Sequence, residues 1–165
     1  MRTREDLLQL IAAEREAWRS LVAEVGEERM EEPGPMGGWT FKDLAAHLTV
    51  WNNRTLDRLA AGPDGEIPPP PWPASLGTDD ELEDWDEVNA WIHAQHRERP
   101  VDEVLAEADE FYERLSAFIA KLPEEDLMTP GRFRDMGQRA LVEADFFGHF
   151  HDEHEPSVRA WLESR

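Results

Sequence analysis

Apolar residues recur every three or four positions over most of this 165-residue chain, and four stretches carry that stripe far enough to predict long helices. The first begins at Thr3, whose hydroxyl caps the opening turn while Asp6 reaches back. Its apolar face reads Leu7, Ile11, Trp18, Leu21, Val22 and Val25, and it ends near Gly26 to Met30. The Pro/Gly-rich turn from Glu32 to Gly38 leads to a second helix, with Thr40 as its cap and Asp43 three residues later. That helix aligns Leu44, His47, Leu48, Trp51, Thr55 and Leu59.

From Gly62 to Leu82 the chain is crowded with proline and glycine, including Pro68-Pro69-Pro70-Pro71-Trp72-Pro73, so neither a helix nor a ladder-paired strand can form there. Helical pattern resumes over Asp84 to Gln95 and continues after Pro100, which kinks or restarts it, through Val104, Ala108, Phe111, Leu115, Phe118 and Leu122. Pro123 to Gly137 reads as irregular. A last helix is predicted from about Gln138 to Leu162, with Phe147, Phe150, His151, His154, Val158 and Trp161 on its stripe. No segment alternates with period two. The pattern predicts an all-α four-helix bundle with a long crossover between helices 2 and 3, formed by a single domain over residues 1–165.

Charge narrows the partners. With 37 acidic against 17 basic residues, the net charge of −20 repels phosphate backbones and anionic membranes, so a small molecule is the expected partner and nucleic acid is not. No apolar window approaches the length of a membrane span and no signal core follows Met1, so a cytoplasmic protein is expected. Cysteine is absent, which removes disulfides, thiolate ligands and a cysteine nucleophile, so any thiol chemistry must use a thiol from outside.

Histidine carries the candidate chemistry. Each α-helical residue turns about 100°, which puts His151 and His154 roughly 60° apart and sets His149 about 140° or more from both. His47 lies on the apolar stripe of the second helix, between Leu44 and Trp51. If these helices pack side by side, His47, His151 and His154 form a three-nitrogen site for a divalent transition metal, zinc or nickel foremost, with an open position for water or substrate. The alternative is a satisfied core histidine beside a solvated helix end. His93 and His96 share an i, i+3 spacing but look exposed beside Arg97-Glu98-Arg99.

Other signals are weaker. Leu44 occupies the position where a Glu-x-x-His di-iron pair would need its carboxylate. Phosphate-binding glycine loops and His-Glu-x-x-His are absent. The run Asp79-Asp80-Glu81-Leu82-Glu83-Asp84 lacks the spaced oxygens of a calcium loop and reads as a solvated helix entry. Asn89, among Trp85, Val88 and Trp91, is either a polar group aimed into a pocket or a surface residue.

The stretch Gly38-Trp39-Thr40-Phe41-Lys42-Asp43-Leu44-Ala45-Ala46-His47-Leu48-Thr49-Val50-Trp51 resembles the second-helix motif of the DinB-like superfamily. Asn89 to Leu105, Leu122 to Leu127 and the tail from His151 through Leu162 extend the likeness, which is closest to the ClbS/DfsB branch. The resemblance implies a four-helix bundle, often a homodimer, with a metal held by one second-helix histidine and two fourth-helix histidines. His47 matches the first ligand. The usual fourth-helix pair is His-x-x-x-His, and alignment on His154 puts Phe150 where the other histidine belongs, leaving His151 as the substitute.

Family members include thiol-dependent transferases and self-resistance proteins acting on reactive natural products. Two functions are therefore expected in parallel. In one, a metal at His47, His151 and His154 activates a low-molecular-weight thiol, or water, to attack a small electrophile in a detoxification or resistance role. In the other, a pocket lined by Trp39, Trp51, Trp91 and Phe147 sequesters a compound without turnover, in a stress or self-resistance role.

Overall fold

The computed structural model describes residues 2–82 and 84–164; Met1, Arg165 and Glu83, one residue of the acidic run, lie outside the described residues. Among those described, the chain is all helical, with one isolated bridge between Met36 and Trp39 in place of any strand. The helices are α1 (Arg4–Val25), α2 (Phe41–Ala60), α3 (Asp86–His96), α4 (Val101–Lys121), α5 (Glu124–Met128) and α6 (Glu155–Glu163).

Both predicted helix starts are capping boxes. The Thr3 hydroxyl accepts from the Asp6 amide at 3.1 Å while Asp6 accepts from the Thr3 amide at 2.8 Å, and Thr40 and Asp43 repeat the pattern at 3.1 and 3.0 Å. Pro100 divides the third predicted helix into α3 and α4, because its ring excludes helical geometry at the residue before it. Lys42 ties the break to α2: its ammonium donates to the carbonyls of Arg97 and Arg99 at 2.8 and 3.0 Å, beyond the end of α3.

Helix α4 packs against both α1 and α2, and α3 lies on α2. One core cluster joins Leu7 and Ile11 of α1, Leu56 and Leu59 of α2, and Phe111, Leu115 and Ile119 of α4. A second joins Trp18, Phe41, Leu44, Val104, Val158 and Trp161, which brings α6 against the other helices. The proline-rich connection from α2 to α3 is pinned to α2 by Arg54, which donates to Asp79 at 2.9 and 3.0 Å and to the Pro68 carbonyl at 2.6 Å. Trp72 fills the space beneath it with Val88 and Ile92.

The last helix departs from its predicted start. Residues 138–147 are not helical apart from a 3₁₀ turn at Leu141–Glu143. Ala140, Leu141 and Val142 are all buried in the core, and three consecutive inward residues suit an irregular chain better than an α-helix with one apolar face. Helical backbone begins at Gly148, where Asp145 accepts from the amides of Phe147 and Gly148 at 3.2 and 2.8 Å. A Cβ at position 148 would crowd the Asp145 carboxylate, so any other residue there would push the capping side chain aside.

The turn over Phe150–His154 is π-helical, closed by the Glu155 amide bonding the Phe150 carbonyl five residues back. Pro156 supplies the physical reason. Its ring would clash with the Asp152 carbonyl in a regular α-turn, and widening the turn ahead of it relieves that contact.

Candidate metal centre

The π-turn decides which histidines meet. In a widened helix, residues five apart come onto one face, so His149 and His154 align. Their Nε2 atoms are 3.0 Å apart. His47 approaches from α2, with ring centroids 5.4 Å from His154 and 6.5 Å from His149, and one nitrogen from each of the three rings lies within 4.8 Å of the others. Two imidazole nitrogens on one tetrahedral zinc, each about 2.0–2.1 Å from it, stand about 3.3–3.4 Å apart, so the His149–His154 pair is within a few tenths of an ångström of ligand spacing.

His47 and His154 thus come together as the sequence suggests, but His149 completes the cluster and His151 does not. The α-helical wheel placed His149 on the far side; the π-turn brings it round. His151 points instead between two carboxylates, its Nδ1 2.6 Å from Glu155 and its Nε2 2.9 Å from Glu14 on α1. Burial works against the charged His151 ring, yet the Glu155 and Glu14 hydrogen bonds raise its pKa above the usual histidine value. An imidazole with both nitrogens engaged in this way serves as a clamp between α1 and the last helix.

The surroundings of His47 and His154 favour neutral, ligating imidazoles. Burial pushes the His47 pKa down to about 4, with further contributions from His154 and His149. His154 is lowered as well, first by burial and then by His149. His47 is 5% exposed, and its Nδ1 is buried without any hydrogen-bond partner. A buried, unpaired ring nitrogen is costly unless something else satisfies it, and a metal ion at the meeting point of three imidazoles is such a partner. The donor set fits a divalent transition metal.

The cluster lies on the wall of an open cleft of about 970 Å³. Trp39 and Trp51 line it as expected from the sequence, and Asn89 also faces it, accepting from the Trp51 indole N–H at 2.9 Å. Trp91 and Phe147 do not line it: Trp91 packs with Val88, Ile92 and Trp72, and Phe147 stacks on Tyr112 at 5.8 Å beside a smaller cavity on the His151 side. Their places are taken by Trp85, 43% exposed and edge-on to Trp51, and by Phe146 and Met136. His93, expected to be exposed, is half-buried in the cleft wall. It stacks on Trp39 at 4.7 Å and meets Asp43 at 3.2 Å, apart from the cluster. His96 contacts Arg99 at 3.1 Å.

The sequence model of the DinB superfamily matches residues 10–155, a span that includes all three clustered histidines. No curated protein matches the chain. A crystal structure of a protein from Streptococcus pneumoniae has the same fold: it superposes with a TM-score of 0.69 at 16% identity, over 99% of this chain and 92% of that one. No described helix is long and apolar enough to cross a membrane.

Proposed function

Because the chain belongs to the DinB superfamily, we propose that His47, His149 and His154 hold a divalent transition metal, zinc or nickel, and that the cleft beside it is the site of a metal-assisted reaction on a small electrophilic molecule. The observation that carries this reading is the convergence of three imidazoles from two helices on one point, with the His47 Nδ1 buried and unpaired there. The fold is read as a four-helix bundle in which the π-turn and α6 supply the fourth member and the 61–85 connection is the crossover. Placement in the ClbS/DfsB branch rests on the likeness of the Gly38 to Trp51 motif taken together with Asn89 to Leu105, Leu122 to Leu127 and the tail from His151 through Leu162.

When bound, such a metal supplies a Lewis acid with an open position, able to lower the pKa of a thiol or of water. The chain's own residues do the rest. His47 presents a neutral nitrogen because burial prevents its protonation near neutral pH. The Asp145 cap and the π-turn set the direction of His149 and His154. Trp39, Trp51 and Trp85 give the substrate an apolar wall that excludes water, and the absence of cysteine leaves the nucleophilic thiol to come from a co-substrate. A thiol S-transferase of the detoxification or resistance type is the reaction that best uses this arrangement.

The test is conjugation of glutathione or L-cysteine to 1-chloro-2,4-dinitrobenzene, followed by absorbance with zinc-loaded, nickel-loaded and chelator-treated protein. Metal-dependent conjugation that is lost in His47→Ala supports the enzyme. Metal-loaded protein with no rate above the uncatalysed reaction, but with saturable ligand binding, would establish the non-catalytic binding protein instead.

A further inference from the structure

The cleft contains a cation that the fold does not neutralise. In a chain of net charge −20, most arginines are held by carboxylates or carbonyls. Around the cleft, Arg58 is engaged by Asp135 at 2.7 and 3.0 Å, and Arg134 donates to the Pro63 and Gly65 carbonyls at 3.3 and 3.2 Å. Arg139 is different. It is an exposed residue on the loop between the buried Met136 and Ala140 and lines the cleft, and its guanidinium has no hydrogen bond or ion pair among the described residues.

The acidic groups on the same walls are otherwise occupied or peripheral. Asp135 is taken by Arg58, Asp145 caps the last helix through the Phe147 and Gly148 amides, and Asp86 stands at the first turn of α3. The other polar wall groups are Asn52, Thr55, whose hydroxyl donates to the Trp51 carbonyl, the Asn89 amide, which the Trp51 indole engages, and imidazoles, of which His93 is stacked on Trp39. The same cleft also presents flat apolar surfaces: Trp51 sits 5.0 Å from Trp85, and Trp85 is the one exposed large hydrophobic residue among those described.

Resting on the reading of this cleft as the ligand site, we propose that it selects a small organic anion with a flat apolar body, the carboxylate paired with Arg139 and the ring laid against the Trp39, Trp51 and Trp85 walls. A guanidinium presents parallel N–H donors that match a carboxylate, which gives both charge and orientation. The overall field of the chain repels anions, so the uncompensated Arg139 supplies the local attraction that lets one enter. The neutral indoles recognise the body without further charge.

The probes are 2-naphthoate and its neutral isostere 2-naphthamide, titrated against the protein by quenching of tryptophan emission. The full chain is used as wild type and as Arg139→Gln, each chelator-treated and zinc-loaded. Circular dichroism melts and zinc content confirm that the variant retains its fold and its metal. The wild type prefers naphthoate by about tenfold with or without zinc, and Arg139→Gln removes that preference in the metal-free protein while keeping naphthamide affinity within about twofold.

Equal binding of the two probes by the wild type, or an unchanged preference in Arg139→Gln, overturns the proposal. A preference that requires zinc and survives Arg139→Gln assigns the carboxylate to the metal, which also overturns it but leaves the metal centre standing. Failure of both probes to bind any form removes the cleft as the ligand site, whatever the metal content shows.

Discussion

Acidifying the metal-free protein should expose the cost of burying His47. In the unfolded chain this histidine takes a proton near its ordinary value of 6.5, whereas in the fold it does so only at about 4. Below pH 6.5 the unfolded state therefore binds the extra proton, so the stability present above that pH is lost as pH falls toward the folded value. A displacement from 6.5 to about 4, at 1.36 kcal/mol per pKa unit, amounts to about 3 kcal/mol. For a domain of this size that corresponds to a fall in Tm of about 6–12 °C.

The assay is thermal and urea unfolding by circular dichroism at a series of pH values from 7.5 to about 4, on chelator-treated wild type and His47→Leu. The leucine variant has its own baseline stability, but its loss over this interval should be smaller than that of the wild type by the His47 contribution. Carboxylates titrate in both proteins and cancel in the comparison. Parallel curves for the two proteins would refute the reasoning, since they would mean that His47 is charged as easily in the fold as outside it.

The remaining predictions concern what holds the cleft in place. Burial works to raise the Asp79 pKa, and Arg54 and Arg58 together hold it below its ordinary value, so Arg54→Met should leave the Asp79 carboxylate with Arg58 alone, at 3.5 Å. Its cost should be about 3 kcal/mol by urea unfolding, and the double variant with Asp79→Leu should recover part of the loss; strict additivity would contradict a coupled pair. His151→Ala should destabilise the protein most below pH 6.5, because a raised folded pKa stabilises fully below the unfolded value and its contribution fades as pH rises through the folded one. Melts of the two proteins that differ equally at pH 5.5 and pH 9 would refute the clamp to Glu14 and Glu155.

Much of this architecture is legible from residue spacing. Thr3 with Asp6 and Thr40 with Asp43 mark both long N-terminal helices correctly because capping is a local interaction, decided by residues three apart. The Leu44, His47, Leu48 stripe and the break at Pro100 are read for similar reasons. The start of the last helix is not, because Leu141 and Val142 look helical in sequence and are drawn from that pattern by tertiary burial.

The histidine cluster shows the same division. His47 and His154 follow from regular helix geometry, whereas choosing between His149 and His151 requires knowing that the turn is π-helical. Pro156 is the available signal, since a proline two residues after His154 cannot sit in an undistorted turn. Phe147 illustrates the limit of periodicity: the sequence pattern predicts it as pocket lining, while its neighbour Phe146 faces the cleft and Phe147 stacks on Tyr112.

The central claim is that the widened turn delivers His149 and not His151 to the metal. Metal content per chain, measured by inductively coupled plasma mass spectrometry on untagged protein loaded with zinc and desalted, tests it in wild type, His47→Ala, His149→Ala and His151→Ala. The account predicts about one ion per chain in the wild type and in His151→Ala, and loss of the ion in His47→Ala and His149→Ala. Retention in His149→Ala with loss in His151→Ala would restore the regular helical register and contradict the site described, and a wild type that takes up no metal would contradict the centre altogether.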